Sequence, residues 1–193
     1  MRKLLLLIAL TFALQTNAFT LSIETDPLFF VGSKTSNNLY DLNVDFKFDR
    51  LQSFRFGFFL WSGELNSQLS EFLLPSSLVS QTKDLTWKGY GLEIQYLQNP
   101  NSKGSLFYGI RLQKNSYKIF NSTQEIQYDH QVVTPQIGYQ YFLSSQSEGF
   151  YLLPWVGAQI PFAGDDQVND FAGSLTESRK ILPILTVHIG YNF

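Results

Sequence analysis

Residues Tyr40 to Asp49, "YDLNVDFKFD", alternate apolar and polar side chains without a break. Tyr40, Leu42, Val44, Phe46 and Phe48 share one face, and Asp41, Asn43, Asp45, Lys47 and Asp49 share the other. Successive strand side chains point to opposite faces, so a period of two predicts a strand with one apolar and one charged surface. The pattern returns in "FRFGFFLWSG", "GYGLEIQYL", "LFYGIRLQ" and "VVTPQIGYQYF". It holds to the last residue. Leu185, Val187, Ile189, Tyr191 and Phe193 alternate with Thr186, His188, Gly190 and Asn192. Most chains end in a frayed polar tail, whereas this one ends inside a structural element. No long helical periodicity competes, although "SQLSEFLL" could form a turn or two of helix in a loop.

Turn signals divide the chain into eight strands, at about 20–31, 39–49, 53–64, 84–97, 105–119, 125–143, 149–162 and 180–193. "DRLQS", "LQNPNSKGS" and "SSQSEG" are short connectors on one side. On the other side, the connectors near Leu65–Lys83 and Ala163–Ser178 are long. Short turns at one end and longer loops at the other are the asymmetry of a bacterial outer-membrane barrel. A soluble barrel shows the same alternation with the apolar face inward. Aromatic residues near strand ends, Phe29, Phe30, Tyr40, Trp61, Trp87 and Trp155, suit interfacial girdles and favour the membrane form.

The first eighteen residues stand apart. "MRK" is followed by an apolar run from Leu4 to Leu14, with small residues at Thr16 and Ala18. This is the pattern of a secretory signal peptide, and the run is short for a spanning helix. The domain reading is therefore 1–18 signal peptide and 19–193 barrel. The chain has no cysteine, so no disulfide or acylated lipoprotein site is expected. A formal net charge of −2 with no basic patch argues against nucleic-acid binding.

In architecture, over the whole of 19–193, the chain resembles the small eight-stranded outer-membrane barrels of the OmpA, OmpX and OmpW type, while "IETDPLFF", "LLPWVG" and "VHIGYNF" look like a particular group of such barrel proteins. The resemblance implies an all-β, antiparallel, up-and-down transmembrane barrel in a Gram-negative outer membrane. It also implies that Leu185, Val187, Ile189, Tyr191 and Phe193 form a C-terminal signal read by the barrel-assembly machinery. The expected partners are outer-membrane lipid and that machinery, with a monomeric barrel and no cofactor. It carries over no catalytic residue. Pro27, Pro135, Pro154, Pro161 and Pro183 fall inside the strands and are expected at bulges, strand ends or the rim.

With the charged faces inward, the lumen would hold Glu24, Asp26, Asp41, Asp45, Lys47, Arg55, Glu93, Arg111 and His188. Glu93 and Arg111 are placed nearly opposite by the turn near residues 101–102 and are expected to pair. Such a network is either a structural polar plug or an ion path. Glu24, Asp26, Asp41 and Asp45 could hold a cation or be neutralised by the nearby basic residues. No metal is assigned. His130, near the loop end of strand six, would serve a lipid-modifying enzyme only with a Ser and an acid beside it in space; Asp129 points to the opposite face. The leading expectation is a non-enzymatic structural or interaction barrel whose loops are the working surface. The alternative is a small barrel that binds or transports an apolar ligand.

Overall fold

The computed structural model describes residues 19–26, 40–48, 53–66, 74, 76–79, 82–144 and 148–193. The signal segment, Phe29, Phe30, most of "SQLSEFLL" and the side chains of Tyr40 and Asp41 lie outside the described residues. The elements are β1 (Phe19–Thr25), β2 (Tyr40–Phe48), β3 (Phe54–Asn66), α1 (Ser76–Val79), β4 (Asp84–Leu97), β5 (Gly104–Phe120), β6 (Glu125–Phe142), β7 (Gly149–Gly164), β8 (Gln167–Asn169), β9 (Leu175–Glu177) and β10 (Leu182–Asn192).

Eight of these strands close into one antiparallel barrel in the order β1-β10-β7-β6-β5-β4-β3-β2. The closing pair sets Ile23 opposite Tyr191 and Glu24 opposite Gly190. The terminal strand thus pairs with the first and closes the sheet. β8 and β9 form a separate hairpin inside the last loop, an element the alternation did not predict.

The apolar faces point outward. Phe58 is 62% exposed, Tyr90 63% and Leu92 50%, and Ile94, Tyr108, Ile110 and Leu112 continue the same surface. A soluble barrel is excluded by this orientation, because it would set a continuous aromatic and aliphatic wall in water. The wall ends sharply towards the loops. Tyr90 gives way to Lys88, Leu112 to Lys114 and Val133 to Gln131, and the register places Lys114 beside both Tyr90 and Gln131. From Tyr90 to Tyr96 the apolar stretch covers roughly 20 Å of strand at about 3.4 Å per residue. With strands tilted by about 35–45°, that length spans about 15 Å of the height of a lipid-facing band. β4, β5 and β6 continue beyond it and form an extramembrane wall.

Aromatic residues do ring the turn end, on the outer face. Phe54 meets Tyr96 edge-on at 5.4 Å, and Phe150 meets Tyr191 at 4.9 Å. The tryptophans are not part of this girdle. Trp61, Trp87 and Trp155 are buried inside the barrel. Their parity explains it: Trp61 lies six residues from Arg55, and Trp87 six from Glu93, both even spacings along inward-facing series. Trp61 and Trp87 instead pack with Phe59, Tyr117, Ile119, Tyr128, Val168 and the loop residues Leu74 and Leu78. The four-residue helix α1 supplies Leu78.

The prolines divide. Pro161 lies at a register shift between β6 and β7, and Pro183 is the second residue of β10. Pro135 and Pro154 sit inside their strands, facing out, which corrects the expectation of bulge or rim positions for these two. The ladder has gaps beside them, as a residue without an N–H requires. Pro27 lies outside the described residues.

Candidate functional site

The midsection of the lumen holds a charge network that joins β1, β2, β3, β4, β5, β7 and β10. Glu24 on β1, 1% exposed, is its centre. Its carboxylate takes Nη1 of Arg55 at 2.8 Å and accepts the Tyr151 hydroxyl at 2.6 Å. His188 Nδ1 lies 3.2 Å from its other oxygen. The Tyr151 ring reaches Glu24 by crossing Gly190, which faces Tyr151 on one side and Glu24 on the other. A Cβ on Gly190 would stand 2.3 Å from the Tyr151 ring, so glycine is what opens this path.

From Arg55 the chain of contacts runs around the wall over the neighbouring strands β3, β4 and β5. Nη2 donates to Gln95 Oε1, Gln95 Nε2 donates to Glu93 Oε1, and Arg111 Nε donates to Glu93 Oε2. Glu93 and Arg111 are directly opposite in the β4–β5 register. The Arg111 guanidinium lies between two rings, 4.7 Å from Phe59 and 4.8 Å from Trp155. Such stacking suits the planar, weakly hydrated guanidinium. Asp45 stands 3.9 Å from Arg55 Nε, and Asp26 accepts a hydrogen bond from the Thr186 hydroxyl. Asp41 lies on β2 opposite Trp61, with its side chain outside the described residues.

Lys47 does not join this network. Nearer the turn than Asp45, its flexible stem carries the ammonium out to the Pro100 carbonyl, at 3.1 Å, and towards Asn101. Glu24, Asp26, Asp45 and Glu93 thus face basic or hydroxyl partners, and no group of three metal-ligating side chains occurs among the described residues.

Apolar clusters lie above and below the network. Leu97, Phe107, Phe142, Tyr151, Leu153 and Trp155 fill the turn side. The aromatic cluster beneath Leu74 and Leu78 fills the loop side. An eight-stranded barrel is only wide enough for side chains to fill, and here they do.

His130 lies beyond the lipid-facing band, 3% exposed. Its ring packs against Tyr117 and Tyr128. Nε2 is 3.0 Å from the Asp165 carbonyl and 3.2 Å from Ser178 Oγ. Nothing local in the chain marks Ser178 as its neighbour, because only the folded loop returns it to β6. The Ser178 hydroxyl itself donates to the Asp165 carbonyl. Asp129 points away and pairs with Lys114 at 2.7 Å. A serine nucleophile must give its proton to the base; this one gives it to a main-chain oxygen. The arrangement staples the last loop to β6, assisted by Asp165 N–H to Asp129 O at 3.0 Å.

Burial holds the His130 pKa below its ordinary value, opposed by the Asp165 carbonyl. The unfolded or released ring has the ordinary value of about 6.5. The staple is therefore intact above that pH and weakens as pH falls through it towards the lower folded value. Limited proteolysis within residues 165–181 is expected to speed up between pH 7.5 and 5.5. His130→Gln should flatten that difference.

Fold and outward apolar band together define a small eight-stranded membrane β-barrel. No protein-family model matches the chain, and no curated protein matches its sequence. Among solved structures it is similar to the N-terminal β-barrel domain of OprF from Pseudomonas aeruginosa. That match has a TM-score of 0.53 and 12% identity, over 90% of this chain and 97% of that one. Neisserial surface protein A gives 0.53 and 11%, over 91% and 97%. OprG from Pseudomonas aeruginosa gives 0.46 and 10%, over 91% and 95%. The likeness is one of architecture, that of small outer-membrane barrels.

Proposed function

We propose that this protein is a non-enzymatic outer-membrane barrel, exported by the segment 1–18, whose loop end is the working surface. The carrying observation is the filled lumen. Two apolar clusters and a paired charge network occupy it along the described length. The wall of β4–β6 and the β8–β9 hairpin then project beyond the lipid band as the presented surface. Recognition of Leu185, Val187, Ile189, Tyr191 and Phe193 by the assembly machinery, insertion as a monomer and the absence of any cofactor belong to the same reading. The His130–Ser178 geometry favours a loop staple over a hydrolytic dyad.

Planar-bilayer recording tests the central point. The purified barrel is expected to give no steady ohmic conductance; a stable open channel would overturn the filled-lumen reading. A second reading rests on the aromatic chamber under Leu74 and Leu78, which could accept an apolar ligand if those side chains withdrew. Native mass spectrometry of the protein from its own membrane would show a retained lipid or small molecule in that case.

A further inference from the structure

The β6–β7 seam differs from every other seam in the wall. Its register runs from Val133–Ile160 to Gln136–Gly157, leaving Thr134 and Pro135 without ladder partners on β7. It breaks again between Gly138–Trp155 and Tyr141–Leu152, beside Pro154. Both prolines keep continuous register with their other neighbours, Ile110 on β5 and Val187 on β10. The missing N–H groups therefore both face this one seam, within the lipid-facing band. The remaining seams run without a gap over their described length.

Directly behind it, two buried polar side chains lack partners. Thr134 is 1% exposed and Gln136 6%. The Thr134 hydroxyl and both amide atoms of Gln136 make no hydrogen bond among the described residues. Each unsatisfied buried group costs about 1–3 kcal/mol, and lipid supplies no partner. Irregular backbone at membrane depth is tolerated where it meets protein or water. The groups here are neutral and mix donors with acceptors: a hydroxyl, a primary amide, and main-chain carbonyls facing prolines. That set matches water, which bridges two to four such groups, better than an ion.

We propose that the β6–β7 seam is hydrated from inside the barrel, with Thr134 and Gln136 holding ordered water against the main chain beside Pro135. The site borders the charge network, with Arg111 directly opposite Thr134 on β5, and makes this seam the most readily exchanging line of the wall.

Two measurements on the full-length protein in lipid nanodiscs test it. Water-edited solid-state NMR should transfer magnetisation from water to the Gln136 side-chain amide; a dry amide would overturn the proposal. Hydrogen exchange should run about tenfold faster over 133–141 and 152–160 than over 90–96 and 106–112. Equal protection on both seams would overturn it. The variant Thr134→Val with Gln136→Leu should slow exchange at the seam towards the β4–β5 rate. Unchanged fast exchange in that folded variant would assign the opening to the prolines alone and reject the water site.

Discussion

Replacing Arg55 with methionine is expected to cost about 3–5 kcal/mol of barrel stability, the usual cost of leaving a buried charge without its partner. Arg55 is the cation that meets both Glu24, at 2.8 Å, and Asp45, at 3.9 Å. Each carboxylate is 1% exposed, so neither can turn to water when the guanidinium is gone. Methionine fills similar space without charge, which isolates the electrostatic loss from a packing defect. Combining Arg55→Met with Glu24→Gln and Asp45→Asn should recover most of the loss, since the stranded charges go too. Urea unfolding from lipid vesicles measures both. Trp61, Trp87 and Trp155 are enclosed within the barrel and report its opening by fluorescence. A single variant within about 1 kcal/mol of the parent would show that the network is not what ties β1 to β3 over β2.

The second large effect lies on the outer wall. Ile110→Arg should destabilise the inserted barrel by about 2–4 kcal/mol, because it sets a cation near the middle of the lipid band. Ile110 sits between Tyr108 and Leu112 on β5, opposite Ile94, and is 43% exposed on that face. The contrast is Ser116→Arg on the same strand and face, beyond Lys114, expected to change stability by under about 0.5 kcal/mol as a surface substitution. Equal costs at the two positions would place the lipid boundary elsewhere and remove the basis for an extramembrane wall. Parallel unfolding titrations in vesicles of one lipid composition make the comparison.

The alternation in "YDLNVDFKFD" and "GYGLEIQYL" was legible down to individual side chains: Leu42 and Leu92 face out, Asn43, Asp45 and Glu93 face in. Glu93 opposite Arg111 was legible too, because one short turn relates them and register follows from turn length. The tryptophans were misplaced because position near a strand end was weighed above parity. Trp61, Trp87 and Trp155 all lie on inward-facing parity, so each packs in the interior and not in a headgroup layer. Parity fixes the face of Lys47, whereas its long stem sets where the charge ends, at the Pro100 carbonyl.

Chain order could not reveal the contacts between strands that are not neighbours. Glu24 and Arg55 are separated by β2, and Tyr151 meets Glu24 only because β10 carries a glycine between them. Ser178 reaches His130 through a loop that doubles back with its own hairpin. The gaps at Pro135 and Pro154 fall on one seam through pairing that neither proline specifies alone. Strand number, facing and closure follow from period two and from turns, which are local in the chain. Contacts that skip a strand follow from barrel curvature: eight strands bring Glu24 to Arg55 and Tyr151, and Arg111 to Trp155, pairs that no single turn relates.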